Sequence, residues 1–499
     1  MWRLWFLGLL GSTVFIALMM LLSGPTVSLV AWIVFLLGAV TIILQPRYGI
    51  YLVLFLTLVG DARMIPWFPF AKNFSSGESL LFLHNAAIFS PLEAYLVLIL
   101  ISWLGRMAMQ RKIKLYLGPL FLPTLVFSSF IAYGLVYGIL RGGNLNVALW
   151  ESRAIFYLPL MMVLTANLIV NRKQFSNLMW FVIFALFIEA IVGCIYYFFI
   201  LNLDLSIADQ IAAHSAAIQF NTFFIYLVCV WIFRASWMKR LLLPLMVPFF
   251  LVTYIMMQRR AGFMSLAVAI VLIIIFLYQE NRKVFFTIVP LIGLAALVYL
   301  AVFWNSYGAL GMPAQAVKSV IAPAQASNQD RLSDLYRMGE NYNALFNMRR
   351  SPLLGSGFGH KIISIVKLPD ISHFVFWEYI IHNSIAWIWI RIGAFGFFSM
   401  LFFIGASIIV GMQALMRVQD PDLRAVLFTA IAYVVMHFTY AYVDMSWDIE
   451  SMVYLGAMVG VIGCIEHVVD KPVPLKEKRW PWQPIPEPVP GLLPLAESE

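Results

Sequence analysis

Apolar stretches of about 15–25 residues recur along most of the chain, the length that a helix needs to cross roughly 30 Å of hydrocarbon. Within a bilayer, a helix also satisfies its own backbone hydrogen bonds. Of the 499 residues, 62% are hydrophobic and 11% are charged, whereas soluble domains carry about 25% charged residues. The sequence therefore predicts an all-α polytopic membrane protein.

The apolar stretches predict about 14 transmembrane helices, and the first is interpreted as a retained helix because no convincing cleavage site follows it. The spans are placed near 5–23, 27–45, 49–60, 91–105, 118–138, 154–170, 178–201, 216–233, 241–257, 262–278, 284–304, 384–412, 425–443 and 449–467. Residues 1–304 thus hold the first eleven helices, and residues 384–468 hold the last three. The longest hydrophilic segment, 305–383, lies between them. The proline-rich tail, 469–499, is predicted to be extended or disordered.

The basic residues predict how the chain is oriented, because Lys and Arg near span ends are retained in the cytoplasm. The clusters that fall on one side of the predicted membrane are those around residues 106–114, 172–173, 234–240, 282–283, 417–424 and 471–479. Both termini are therefore expected in the cytoplasm, with the loop 305–383 and the connection QRRAG, 258–262, outside. These clusters account for the net charge of +9 without nucleic acid as a partner. The three cysteines lie in apolar segments, which indicates packing rather than disulfides.

The external loop has three recognisable parts. Residues 314–328 are expected to be flexible. Residues 329–350 carry Leu332, Leu335, Tyr336, Gly339, Tyr342 and Phe346 at helical spacing, which predicts an amphipathic helix. Its other face carries Arg331, Asp334, Arg337, Glu340 and Asn341; a solvated surface helix packed on the membrane domain and a helix that contributes charges to a site both fit. In SPLLGSGFGH, 351–360, Pro352 is expected to end the helix, and the glycines allow turns or close approach to a ligand.

The order of four elements within residues 258–398 resembles the O-antigen ligase and polymerase family: QRRAG, DRLSDLYRMGENYNALF, SPLLGSGFG, and HNSIAWIWIRIGAFG opening a span. The resemblance implies a GT-C-like glycosyltransferase of the bacterial inner membrane. Such an enzyme takes a glycan from a polyprenyl diphosphate carrier and joins it to a glycan or lipid acceptor outside. A polymerase that extends a growing chain is the alternative within the family. A lipid-linked oligosaccharide transporter, or a scaffold with an external binding loop, also fits the composition.

Arginines are candidates for binding the donor diphosphate, since a guanidinium is always charged and bonds phosphate oxygens bidentately. The resemblance and this chemistry point to Arg259, Arg260 and Arg331. Lipid headgroup anchoring is the alternative for Arg259 and Arg260, and a helix-stabilising pair with Asp334 is the alternative for Arg331. Arg153, near the external start of a predicted helix, is a further candidate for the donor site.

His382 is the candidate base for the acceptor hydroxyl, because its ordinary pKa near 6.5 makes it available as a proton acceptor. The next residue, Asn383, is expected to cap a helix or to orient a sugar hydroxyl. No cofactor is expected. A metal is not expected either, because the spacing of His360, His373, Asp370 and Glu378 matches no familiar ligand pattern. Glu189 and Arg391 fall inside predicted spans, where a charge requires a partner; Arg153 or Arg391 is a possible partner for Glu189.

Overall fold

Helices occupy every predicted span from 27–45 to 449–467 in the computed structural model. The structure describes residues 10–11, 28–59, 70, 72–77, 79–111, 115–205, 211–212, 215–306, 308–325, 328–369 and 376–468. The predicted tail and almost all of the span 5–23 lie outside these residues. The helices are α1 Ser28–Leu44, α2 Pro46–Val59, α3 Pro91–Met109, α4 Phe121–Leu140, α5 Leu145–Leu168, α6 Arg172–Ile195, α7 Ala216–Ile232, α8 Trp237–Met256, α9 Arg260–Glu280, α10 Arg282–Phe303, α11 Met312–Ile321, α12 Asn328–Arg350, α13 Ser384–Arg417, α14 Pro421–Val443 and α15 Ile449–Val468.

Ten helices among the described residues are long and apolar enough to cross a membrane, and three shorter ones, α1, α2 and α7, are also apolar. This all-helical arrangement agrees with the predicted class of polytopic membrane protein. The number 14 and the GT-C-like arrangement stay predictions.

Side chains from separate predicted loops meet at the two ends of the helical bundle. At one end, Asp422 Oδ1 is 3.0 Å from Lys239 Nζ, and Asp422 Oδ2 is 3.1 Å from Arg172 Nη2. These two basic residues belong to clusters that the charge pattern assigned to the cytoplasm. At the other end, hereafter the α12 end, α12 contacts the start of α9 and the start of α13. The grouping of the loops thus agrees with the predicted alternation of sides, while the side that faces the cytoplasm stays a prediction.

The predicted flexible segment 314–328 is partly helical, so that prediction is wrong for α11. Pro313 stands in the first turn of this helix, where the missing N–H of proline has no cost. Gln315 Nε2 donates to the carbonyls of Trp304 and Ser306 at 3.1 and 2.9 Å. Lys318 Nζ donates to the carbonyl of Trp304 at 3.1 Å. Polar contacts with the preceding turn stabilise α11. The alanine-rich sequence of this segment does not indicate these contacts.

The loop helix α12 is present as predicted, but some of its polar residues are buried and some of its apolar residues are exposed. Glu340 and Asn343 are buried, whereas Leu332, Leu335 and Tyr342 are exposed. The physical reason is hydrogen bonding: Asn343 Oδ1 accepts from the backbone N–H groups of residues 365 and 366 at 2.9 and 2.8 Å. The protein therefore covers part of the polar side of the helix. The interpretation as a surface helix with its charged face in water is wrong for Glu340, whereas Arg331 and Asn341 are exposed.

Candidate functional site at the α12 end

His382 lies just before α13 and is held from two sides. Its Nδ1 is 2.8 Å from Glu340 Oε2, and its backbone N–H donates to the same oxygen at 3.3 Å. The ring also makes an edge contact with Tyr336. Glu340 is 6% exposed at its side chain and His382 is 27% exposed. A buried carboxylate thus fixes the orientation of an imidazole that is open to its surroundings.

The pKa of His382 is higher than its ordinary value. Burial lowers the pKa, but the hydrogen bond and negative charge of Glu340, with the nearby carboxylate of Asp444, raise it by more; the positive charge of Arg337 opposes them. The same environment raises the pKa of Tyr336, through burial first and then through Glu340. His382 is therefore a stronger base than an unperturbed histidine, and Tyr336 stays protonated.

Asn383 caps a helix, which is one of the two roles expected of it. Its Oδ1 accepts from the backbone N–H of Ala386 at 3.0 Å, which caps α13. Its Nδ2 donates to Asn341 Oδ1 on α12 at 3.2 Å. This cap explains why a polar residue, Asn383, stands directly before the apolar sequence of α13. Its exposed amide contact with Asn341 borders His382.

Arg260 is the first residue of α9, and it binds α12. Its Nη2 is 3.0 Å from Asp334 Oδ1, and its Nη1 is 3.4 Å from Asp334 Oδ2. Arg259 immediately precedes the helix and acts electrostatically on Tyr440, as does Asp444. The two arginines of QRRAG therefore lie at the α12 end, within reach of charged groups from two other parts of the chain.

Helix α12 brings the arginine and the histidine together. Asp334, which binds Arg260, and Glu340, which binds His382, are six residues apart, or about 9 Å along a helix. Asp334, Arg337 and Glu340 also fall within about a third of the helix circumference. Arg260 and His382, which are distant in sequence, therefore contact the same part of α12.

Two of the candidate arginines are placed differently. Arg331 is on the exposed surface of α12, one turn before Asp334, whose carboxylate binds Arg260. Arg153 is engaged elsewhere: it forms an ion pair with Glu93 and donates to Asn73 Oδ1 at 2.9 Å. The Arg153 contacts tie α5 to α3 and its preceding loop, so they favour a structural role for this residue.

Two aspartates that sequence reasoning passed over belong to the same end of the bundle. Asp444 is buried just after α14, and its carbonyl accepts from Ser384 Oγ at 3.1 Å. Asp448 is four residues further on, before α15. A sequence signal for them existed, because two acids in VDMSWD, 443–448, separate two apolar spans. Glu340 was noted only as part of a charged helix face.

Arg391 has a partner that the sequence did not reveal. Its Nη2 is 2.5 Å from Glu151 Oε1, and both side chains are completely buried. Its Nη1 donates to the carbonyl of His360 at 2.7 Å. Glu151 lies in the second turn of α5, which begins at Leu145. The arginines proposed for Glu189 are thus bound to Glu151 and Glu93.

The glycine motif 355–360 inserts between α4 and α13. Phe358 is buried, and its backbone N–H donates to the carbonyl of Gly134 at 3.1 Å. A Cβ at Gly138 would lie 2.2 Å from the Phe358 carbonyl oxygen. The Gly359 N–H donates to Glu151 Oε2 at 2.6 Å. The glycines were expected to allow turns or close approach to a ligand. The structure shows turns, and the close approach is to helices.

The glycine motif also forms hydrogen bonds to the backbone at a break inside α13. Gly393 has φ of 68°, a left-handed conformation that favours glycine. The carbonyls of Ile390 and Arg391 accept from the backbone N–H groups of residues 356 and 357, at 2.7 and 3.0 Å. Such bonds satisfy backbone groups that a broken helix would otherwise leave unpaired at membrane depth.

No cluster of three or more His, Cys, Asp or Glu side chains that could hold a metal occurs among the described residues. His373 and Asp370 lie outside them. His360 Nε2 contacts the carbonyl of Gly138 at 3.1 Å, which is a structural role. Metal independence stays a prediction.

The stretch that carries the two QRRAG arginines, α12, the glycine motif and His382 matches one family model, described as O-antigen ligase, over residues 245–401. Residues 245–401 are thus similar to the O-antigen ligase family. The resemblance predicted from the sequence is thereby confirmed, as are its implications of a membrane protein and of polysaccharide biosynthesis. No curated protein matches the chain. Arg153 and Glu151 precede the matched range of this O-antigen ligase domain.

Proposed function

We propose that the protein transfers a glycan from a polyprenyl diphosphate carrier to an acceptor hydroxyl at the α12 end, with His382 as the base. The observation that carries the proposal is that Arg260 and His382 both bind α12, about 9 Å apart along its axis. A cationic group for a leaving diphosphate and a base for an attacking hydroxyl thus border one region, within a domain of the O-antigen ligase family.

The contacts of His382 support its role as the base. When Nδ1–H donates to the Glu340 carboxylate, the neutral ring keeps its free electron pair on Nε2. This nitrogen takes the proton of the acceptor hydroxyl while the hydroxyl oxygen attacks the anomeric carbon. The bond from that carbon to the diphosphate oxygen breaks, and the diphosphate leaves with the electron pair.

The arginines supply charge for the departing diphosphate. Arg260 binds Asp334 through two of its nitrogens, and its guanidinium carries a permanent positive charge at the start of α9. Arg259, its neighbour, adds a second positive charge at the start of α9. Stabilising charge that develops only as the bond breaks lowers the barrier directly.

Transfer by purified protein in proteoliposomes tests the proposal, with a polyprenyl diphosphate-linked oligosaccharide as donor and a lipid-anchored sugar as acceptor. His382→Ala and Arg260→Ala are expected to lower the transfer rate by at least about 100-fold. Matched controls are His467→Ala, which stacks on Tyr116 away from α12, and Arg141→Ala, an exposed arginine that stacks on Tyr137. Full activity of correctly inserted His382→Ala protein would overturn the assignment of the base.

The choice between ligase and polymerase depends on the acceptor, because both reactions break the same donor bond. Supplying the donor with no second acceptor separates them. Longer glycans on the carrier would indicate a polymerase, whereas product that forms only with the lipid-anchored sugar indicates a ligase. Ligase activity is the form proposed here. The external face of a bacterial inner membrane, with both termini in the cytoplasm, is part of the same proposal.

A further inference from the structure

Helix α12 presents a row of exposed apolar side chains, hereafter the apolar stripe. Its members, between 36% and 68% exposed, are Leu332, Leu335, Met338, Tyr342, Leu345 and Phe346. Their spacing of three and four residues aligns them along one side of the helix. An exposed apolar surface of this length on a loop helix indicates contact with another apolar surface.

The orientation of the apolar stripe is fixed by polar bonds on the remainder of the helix. Leu335 and Tyr342 are about 140–160° around the helix axis from Glu340, which is buried against His382. Asn343 and Asn347 bind the backbone of segment 363–366; for example, Asn347 Nδ2 donates to the carbonyl of residue 363 at 2.8 Å. Rotating α12 to bury the apolar stripe would break these bonds and the Asp334–Arg260 pair.

The level of α12 is set by the two spans that it contacts. Arg260 begins α9, and the residue that caps α13 follows His382; both helices are long and apolar enough to cross a membrane. The apolar stripe therefore lies where spans end, which is the boundary between hydrocarbon and water. Exposed apolar side chains on α9 and α10, such as Val271 and Leu297, give these spans a lipid-facing surface.

Charge on the stripe side matches a lipid surface. Within residues 331–350, the sector of α12 that carries the apolar stripe includes three arginines and no acidic residue. Arg349 and Arg350 are exposed at its carboxyl end. Amphipathic helices that lie in membrane interfaces combine an apolar face with flanking basic residues, which meet lipid phosphates.

We propose that α12 lies in the interface of the bilayer leaflet at its end of the bundle, with the apolar stripe among the acyl chains and Arg349 and Arg350 at the phosphates. Its polar side holds Arg260 and His382, so the candidate site lies directly at the membrane surface. This inference does not depend on the proposed glycan transfer, and its test does not measure activity.

Nitroxide labels on single cysteines test it in vesicles of phosphatidylethanolamine and phosphatidylglycerol. Leu335→Cys and Tyr342→Cys report on the apolar stripe. Leu297→Cys, exposed on α10, is the lipid-facing control, and Lys361→Cys, exposed in the loop, is the aqueous control. The native cysteines are buried, so unsubstituted protein gives the background. Accessibility is measured with oxygen, which concentrates in hydrocarbon, and with a water-soluble nickel chelate.

Labels at 335 and 342 are expected to favour oxygen over the chelate, as label 297 does, while label 361 shows the reverse. Chelate accessibility at 335 and 342 equal to that at 361 would overturn the proposal. Low accessibility to both reagents, with spin broadening between labels, would also overturn it, because a second copy of the chain would then cover the apolar stripe. The substituted residues are exposed, so the replacements remove no internal packing. The labels at 335 and 342 give two independent measurements of the same surface.

Discussion

At the scale of single residues, a role for His382 was predicted from its place in an ordered motif. The orientation and pKa of its imidazole depend on a residue 42 positions away. The side-chain contact with Glu340 and the nearby Asp444 raise the pKa of the imidazole. No pattern around HNSIAW predicts that contact, because it requires α12 to lie against the start of α13. The sequence therefore pointed to His382 as the candidate base but did not reveal Glu340, the group that orients it.

Replacing that carboxylate gives a prediction about pH. The base must be neutral, so the rate rises as pH increases through the pKa of His382. Because Glu340 raises this pKa, Glu340→Gln is expected to move the acidic limb of kcat/KM to lower pH, and to lower kcat by about 10- to 100-fold through loss of orientation. Rates of transfer measured across pH give both effects.

The control for this prediction is Glu378→Gln, which removes a carboxylate paired with Lys361 in the same loop and is expected to leave the acidic limb in place. The titration of His382 can also be followed without turnover, by its rate of modification with diethyl pyrocarbonate. Loss of activity in Glu340→Gln with an unchanged titration would show a structural role only. If His382→Ala were active, the base assignment itself would fail.

The buried pair of Arg391 and Glu151 leads to a prediction about stability. Arg391→Met leaves a buried carboxylate without its cation, which costs about 3–5 kcal/mol, so the melting temperature in detergent is expected to fall. The double variant Arg391→Met with Glu151→Leu removes both charges, and it should melt above the single variant. Arg141→Met, at an exposed arginine, is the control. Equal melting of the single and double variants would contradict an energetic role of the pair.

At the scale of helices, the sequence was a good guide wherever membrane thickness decides the outcome. A span needs a fixed length of apolar residues, so a helix is observed at every predicted span from 27–45 to 449–467. The rotation of α12 and the break in α13 were not predictable. Both depend on bonds to distant segments, such as Asn343 to residues 365 and 366, or Arg391 to a residue 240 positions earlier.

The break in α13 gives a prediction at this scale. Gly393→Ala places a side chain at positive φ, which costs about 1–3 kcal/mol, and puts its Cβ 2.1 Å from the carbonyl oxygen of Leu353. Amide exchange of residues 356, 357 and 394 should then rise by about tenfold or more. Gly405→Ala, in the same helix with open space around it, is the control. Unchanged exchange in Gly393→Ala would show that the glycine motif docks without this contact.

At the scale of the whole molecule, the charge pattern and the structure give different information about the topology. The Lys and Arg clusters predict which loops share a side, and the contacts of Asp422 with Arg172 and Lys239 bring two of these loops together. The structure shows that Arg260, α12 and His382 share the opposite end. The charge bias, in turn, predicts which end faces the cytoplasm.

This orientation predicts how intact cells react with a maleimide that cannot cross membranes. Lys361→Cys, in the loop at the α12 end, is expected to be labelled in intact cells, because the active site must reach an acceptor outside. Lys173→Cys, exposed beside Arg172 at the opposite end, should react only after the membrane is opened. Native cysteines are buried and contribute little background. Labelling of Lys173→Cys alone in intact cells would reverse the orientation. It would place His382 in the cytoplasm, where a ligase acting outside the membrane has no acceptor.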